Sequence, residues 1–482
     1  MCYDNTRIKN EWQHMAATVR KEGKPVARQY EMNMTSGPLF GKIVTFAFPL
    51  MCSGVLQLLF NAADIIVVGR YTGHTALAAV GSTSALINLI VNLFVGLSVG
   101  ANVLIARCCG AGQMEAVHKG VHTAMLTAVV GGVVLIFVGV AASRPMLTLM
   151  GTPEDVIDQA TLYLRIYFVG APSLLVYNFG AAILRAVGDT RRPLYFLTLA
   201  GIINVILNLV FVIVFSLGVA GVALATIISQ TVSAYLIVVC LQHNAGAFRL
   251  VLRELHIDPE QFREILRIGV PAGVQGMVFS LSNVLIQSSV NSFGSSVMAG
   301  NTAASNIEGF VYTCMNAVSQ TSMSFVSQNV GARSFQRVDQ VVLRCMMLEA
   351  AVGITLGGSA YLLGHWLLAI YTPDAQVITY GLYRMSVVCT TYFLCGFMDC
   401  LACSVRGLGS SVVPMVVSIL GACGLRIVWV MTLFQWEHTQ LCLYISYPVS
   451  WALTACVHLI CYFIMRKKVQ AANSEVTAAP AT

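Results

Sequence analysis

The sequence predicts an all-α polytopic membrane protein of about twelve transmembrane helices, built as two six-helix lobes related by an internal repeat. Three observations predict it. The first is composition: 57% of the 482 residues are hydrophobic and only 10% charged, against about 25% charged in a soluble domain. That is too little charge to cover a water-facing surface. The second is a succession of apolar segments at 43–68, 78–105, 120–142, 159–182, 194–216, 220–241, 269–292, 297–326, 341–364, 377–403, 414–434 and 442–465, most near or above the roughly 20 residues that span a bilayer. The third is that the second half repeats the first at a shift of 220–222 residues.

The repeat is an ordered set of matches. Phe48-Pro49 answers Val270-Pro271, Asn61 answers Asn283, and Cys109-Gly110-Ala111 answers Val330-Gly331-Ala332. Gly151-Thr152-Pro153-Glu154 answers Tyr371-Thr372-Pro373-Asp374, Leu184-Arg185 answers Val405-Arg406, and Pro193 answers Pro414. An even number of helices per half makes the repeats parallel, related by an axis along the membrane normal. Two such halves around a midplane site form a transporter architecture that works by alternating access.

The connecting segments set orientation and boundaries. With the amino terminus cytoplasmic, the inside loops gather Arg107, Lys119, Arg185, Arg191, Arg192, Arg249, Arg253, Arg263, Arg267, Arg333, Arg337 and Arg406, while the outside loops hold only Arg70 and Arg144. This positive-inside bias places both termini in the cytoplasm. The division expected is a cytoplasmic tail over 1–34, with Met32 or Met34 as an alternative start; an N-lobe over 35–242; a linker over 243–268 containing a short amphipathic helix; a C-lobe over 269–466; and a disordered tail over 467–482.

Asp64 is the chemical centre of the first half. Gln57, Asn61 and Asp64 lie at i, i+4 and i+7 and share one helix face inside an apolar stretch. A carboxylate in hydrocarbon costs several kcal/mol, so it faces a bundle interior or a cavity and marks a functional site. Here it can exchange a proton between the two sides, with Gln57 and Asn61 tuning it, or make a structural hydrogen bond to a neighbouring helix. Asn204 and Asn208, four residues apart, share a face and can hold that proton, offer side-chain oxygens to Na⁺, or join helices.

In the second half, Asn301, Ser305, Glu308 and Tyr312 fall on one face. Asp399 is answered at a shift of 221 by Asn178, and Arg426 lies too deep in its segment to snorkel easily. These residues predict a charge cluster in which Asp399 or Glu308 pairs with Arg426 and the other carboxylate faces the cavity to attract cations. Arg165 and Arg384 are expected to snorkel or pair, and Glu349 to lie near the inner surface.

Together the motifs carry a resemblance. Asn61-Ala-Ala-Asp64-Ile-Ile-Val-Val-Gly69-Arg70 is followed by Ala76-Leu-Ala-Ala-Val-Gly81, Leu184-Arg-Ala-Val-Gly-Asp-Thr190 and Asn204-Val-Ile-Leu-Asn208, then Ser327-Gln-Asn-Val-Gly-Ala332 and Val405-Arg-Gly-Leu-Gly409. From about residue 35 to 466 the chain resembles the multidrug and toxic compound extrusion (MATE) family, in a prokaryotic branch similar to DNA-damage-inducible protein F. The resemblance implies two six-helix bundles in a V and efflux of cationic, lipophilic compounds in exchange for H⁺ or Na⁺, with coupling centred on Asp64. The helix-5 polar pair of the family maps to Asn204 and Asn208; its second position is often an aspartate there. Where one branch carries a glutamate early in helix 7, this chain has Phe279.

Other classes are excluded or disfavoured. The net charge of +7 is spread over loops and tails, with no basic face for nucleic acid. The fifteen cysteines include one CxxC, Cys400 and Cys403, without a second pair or a nearby histidine, so no metal site or other cofactor is expected. No GxxxxGK(S/T) motif occurs, so no ATPase is implied. A membrane enzyme would need clustered ligands or a nucleophile–base pair. A flippase for lipid-linked saccharides would need several cavity Arg or Lys, for which only Arg165, Arg384 and Arg426 are candidates. The expectation is therefore a monomeric plasma-membrane antiporter of a prokaryote, whose partners are the bilayer and small organic cations.

Overall fold

The computed structural model describes residues 31–244 and 246–478, and those residues form helices and turns with no strand. Twelve helical rods follow in order: α1 (Leu39–Tyr71), α2 (His74–Gly110), α3 (Met114–Leu149), α4 (Glu154–Val169 and Ala171–Ala186), α5 (Arg191–Val214), α6 (Gly218–Gln242), α7 (Pro259–Asn291), α8 (Ser295–Gly331), α9 (Phe335–Leu362), α10 (Ala375–Gly407), α11 (Val412–Trp436) and α12 (Gln440–Ala478). The two parts of α4 meet at 47° across Gly170. Ten rods are long and apolar enough to cross a membrane, eleven with α4 taken as one span. The twelfth, α8, is buried along most of its length. A helix enclosed by protein needs no lipid-compatible surface, and α8 spends the freedom on Asn301, Ser305, Glu308, Asn316 and Gln320.

Three predicted boundaries are corrected. Met34, assigned to the amino-terminal tail, is fully buried in an apolar cluster with Leu39, Ile43, Phe46 and Phe325. Its carbonyl accepts hydrogen bonds from Arg337 Nε at 3.2 Å and Asn329 Nδ2 at 3.3 Å. The rest of that tail, residues 1–30, lies outside the described residues. The linker opens with two short 3₁₀ turns, Gly246–Phe248 and Leu252–Glu254, and its amphipathic helix is the start of α7, with Ile265 and Ile268 buried and Arg263 and Arg267 exposed. α7 starts ten residues earlier than the hydropathy suggests, because Asp258 caps it through the Glu260 and Gln261 N–H groups and Pro259 occupies its first position. The carboxy-terminal tail continues α12 as helix to Ala478, anchored where Arg466 pairs with Asp339 of α9 at 2.7 Å.

The halves meet at the end that carries the basic loops. α2 crosses α7 on glycines: Gly96 and Gly100 face Gly269 and Gly273, and a Cβ on any of them would collide with the opposing backbone. Small residues four apart are what let two membrane helices touch backbone to backbone. Nearer the basic end, Gly110 of α2 and Gly331 of α8 make a second close crossing. Here Arg107 Nη2 donates to the Leu408 carbonyl at 2.9 Å, and Gln328 Nε2 donates to the Ala186 carbonyl at 2.6 Å. Arg107 and Gln328 stand 221 residues apart and their acceptors Leu408 and Ala186 stand 222 apart, so the two bonds are similar contacts on the two sides of the pseudo-twofold axis. Between them Ser324 Oγ donates to Asn102 Oδ1 at 3.1 Å. Gly188 and Gly409, also 221 apart, both take φ +95°, where a side chain is strained. They turn the chain so that the Ala186 and Leu408 carbonyls stay free to accept.

Candidate functional site

The N-lobe site joins α1 to α5. Asp64, half-buried on α1, accepts a hydrogen bond from Asn208 Nδ2, and Asn208 lies 3.4 Å from Asn204 Oδ1 one turn earlier. Both asparagines are buried, and Asn208 Oδ1 has no partner. Beneath them Val67, Val68, Tyr163 and Val212 pack as an apolar floor. Gln57 and Asn61 are exposed and make no hydrogen bond among the described residues. Of the four predicted neighbours one, Asn208, therefore reaches Asp64, with Asn204 behind it, and both come from the facing helix rather than from its own.

The C-lobe holds a cavity of about 640 Å³ between α7, α8, α10, α11 and α12, with Asn92 of α2 at its edge. Asn301, Ser305, Glu308, Tyr312, Asp399 and Arg426 all line it, as predicted residues brought together. Asn178 does not: its Nδ2 donates to the Leu174 carbonyl on its own helix at 2.8 Å. The predicted pairing is also corrected. Glu308 binds Arg384, not Arg426, through two parallel bonds of 2.9 and 2.7 Å, with both side chains buried. Arg384 Nη1 donates to Asn301 Oδ1 at 2.7 Å, and Asn301 donates to Gln287 Oε1 at 2.9 Å. A planar guanidinium matches a carboxylate in this two-point geometry. Arg384 wins because it sits on α10, beside α8. Arg426 on α11 turns instead to Ser450 Oγ at 2.8 Å and to the faces of Tyr447 and Trp451.

Glu349, expected near the inner surface, is fully buried midway along α9, where Ser319 Oγ donates to it at 2.8 Å and its other oxygen has no partner. The small face of α10 at Gly396 admits this carboxyl, since a Cβ there would lie 2.7 Å from Glu349 Oε2.

Each lobe carries one π-helical turn beside its polar centre. In α5 it covers Val210–Val214, directly after Asn208; in α11 it covers Ile419–Gly424, directly before Arg426. Such turns are frequent at functional sites, and nothing in hydropathy announces them. Sequence reading also missed His118, His122 and Glu254, whose ligand atoms all lie within 4.8 Å of one another. This group fastens the linker to α3: His118 Nε2 meets Glu254 at 2.9 Å, and His122 Nε2 accepts the Val251 N–H at 3.1 Å while Nδ1 meets the His118 carbonyl at 2.8 Å. The i, i+4 spacing of the two histidines was the available signal.

Duplicated six-helix lobes, each with a polar centre enclosed by membrane-length helices, define a multi-pass membrane transporter. The chain belongs to the MatE family, whose pattern matches residues 49–210 and again 271–432. The second match begins 222 residues after the first (residue 271 against residue 49), as the internal repeat requires. The chain is 28% identical to the probable multidrug resistance protein YoeA of Bacillus subtilis, over 88% of its own length and 93% of that protein's. It is 25% identical to the probable multidrug resistance protein NorM of Thermotoga maritima, over 79% and 82%. The fold superposes with a TM-score of 0.84 on a solved structure described as an outward-facing conformation of a multidrug resistance MATE family transporter of the MOP superfamily, at 21% identity, covering 92% of this chain and 98% of that one.

Proposed function

We propose that this chain is a secondary antiporter of a prokaryotic plasma membrane, exporting organic cations and other lipophilic xenobiotics in exchange for H⁺. The observation that carries the reading is the Asp64–Asn208 hydrogen bond between α1 and α5. It ties a proton-binding group to the relative position of two helices. With a proton on Asp64 the carboxyl is neutral and offers a donor of its own; without it, the carboxylate takes the Asn208 amide. A ligand shifts a conformational equilibrium only through different affinities for the two states, and this contact supplies that difference. The family membership and the relatives described as multidrug resistance proteins support export of drugs. Na⁺ is the alternative coupling ion, with Asp64, Asn204 and Asn208 as its oxygen donors.

In this reading the basic end faces the cytoplasm, the Arg107 and Gln328 contacts close that side, and cargo leaves from the other. Both lobes lie in one chain, so a monomer is a complete working unit. The test is ethidium export, read as accumulation inside inverted vesicles, under an imposed pH gradient, then an imposed Na⁺ gradient, for the wild type and Asp64→Asn. Efflux driven by pH and lost in Asp64→Asn is expected. Efflux that survives Asp64→Asn overturns the coupling role, and efflux driven only by Na⁺ reassigns the ion.

A further inference from the structure

The C-lobe cavity holds more positive charge than its carboxylates answer. Its charged lining is Glu308, Asp399, Arg384, Arg406 and Arg426. Glu308 is consumed by Arg384. That leaves Asp399, with Tyr312 beside it, against two guanidinium groups. Arg406 is held within the lining, donating to Gln275 Oε1 at 2.5 Å and to Cys403 Sγ at 3.6 Å, with its Nε unpartnered.

Arg426 is the group without an answer. It is 3% exposed. Its Nε donates to Ser450, and its guanidinium carbon stands 4.4 Å from the centre of the Tyr447 ring and 5.5 Å from that of Trp451. Among the described residues no carboxylate comes within salt-bridge distance of it, and its buried Nη2 has no hydrogen-bond partner. Buried charges are ordinarily paired, and buried donors are ordinarily satisfied. A guanidinium held by its face against aromatic rings in the wall of a cavity, with one N–H group left unpartnered, suits a planar or tetrahedral oxyanion. The same rings offer a flat apolar surface to whatever carries that oxyanion.

We propose that Arg426, seated on Tyr447 and Trp451, is an oxyanion subsite of the C-lobe cavity, taking the carboxylate or phosphate of a small aromatic molecule. That this molecule is cargo rests on the transport reading above. The cavity volume of about 640 Å³ falls within the range of sites for drug-sized ligands. The cargo is thereby widened from cations to aromatic compounds bearing an acidic group.

The test uses the full chain in lipid nanodiscs, with empty nanodiscs subtracted, and matched probes: 2-naphthoate against methyl 2-naphthoate, and 2-naphthyl phosphate against 2-naphthol. Equilibrium dialysis should show at least one anion bound about tenfold more tightly than its neutral partner, and which one does so separates a carboxylate site from a phosphate site. Arg426→Gln should abolish the preference, and Arg426→Lys should keep part of it, because a lysine retains the charge without the fork. Neutral probes binding wild type as tightly as anions, a comparison that needs no variant, would overturn the proposal. So would an anion preference that survives Arg426→Gln. Absence of pH-driven ethidium efflux beside an intact anion preference overturns the transport reading and leaves the subsite standing.

Discussion

At the scale of single residues, the buried Glu308–Arg384 pair shows how the C-lobe divides its charge. Removing one member of a buried pair strands the other, at a cost of about 3–5 kcal/mol, whereas removing both is far milder. Glu308→Gln and Arg384→Gln should each lower the thermal midpoint of the purified protein sharply, and the double variant should recover much of the loss; additive losses in the double-mutant cycle would contradict a direct pair. The sequence made the candidates legible, because each charge interrupts an apolar run. It did not make the partners legible. As text, depth favours Arg426, which is too deep to snorkel easily, over Arg384; the adjacency of α8 and α10 decides the other way. Glu349 was misplaced for a similar reason, since its nearest charged sequence neighbour, Arg344, suggested a surface, while the space left by Gly396 encloses it.

At the scale of elements, the α2–α7 crossing depends on having nothing beyond hydrogen at four positions. Gly100→Leu should push the backbones apart, reducing yield and thermal stability, whereas Gly81→Ala, with open space around it, should be close to neutral; comparing detergent-solubilised melting curves checks both. Helix positions were readable because hydropathy marks lipid-facing surface. Helix α8 is the rod that hydropathy alone does not mark as a span, since its neighbours rather than lipid surround it. The start of α7 was misread for the opposite reason. Its first turns are charged and lie outside the apolar run, so the cap at Asp258, not hydropathy, marks the beginning. The π turns were invisible because they reflect how a helix is packed, not what it is made of.

At the scale of the whole molecule, the repeat is what sequence and structure share most fully. A shift of 221–222 residues relates Pro49 to Pro271, Arg107 to Gln328 and Gly188 to Gly409, and it organises the contact between lobes. The Arg107–Leu408 and Gln328–Ala186 bonds hold one end of the bundle closed. Arg107→Ala should shift the population toward the state open at the basic end, seen as faster labelling of a cysteine introduced at Ala186 by a membrane-impermeant thiol reagent in inverted vesicles. Unchanged labelling would mean that the glycine crossings alone keep that end shut.

The two halves of that contact differ in one respect with its own consequence. On one side the donor is a guanidinium; on the other it is an amide. A hydrogen bond from a charged donor is stronger than one from a neutral amide. The molecular seam is thus a hinge with unequal pins, and the neutral pin gives way before the charged one. Duplication produced two equivalent halves; the exchange of a single side chain gave their separation an order.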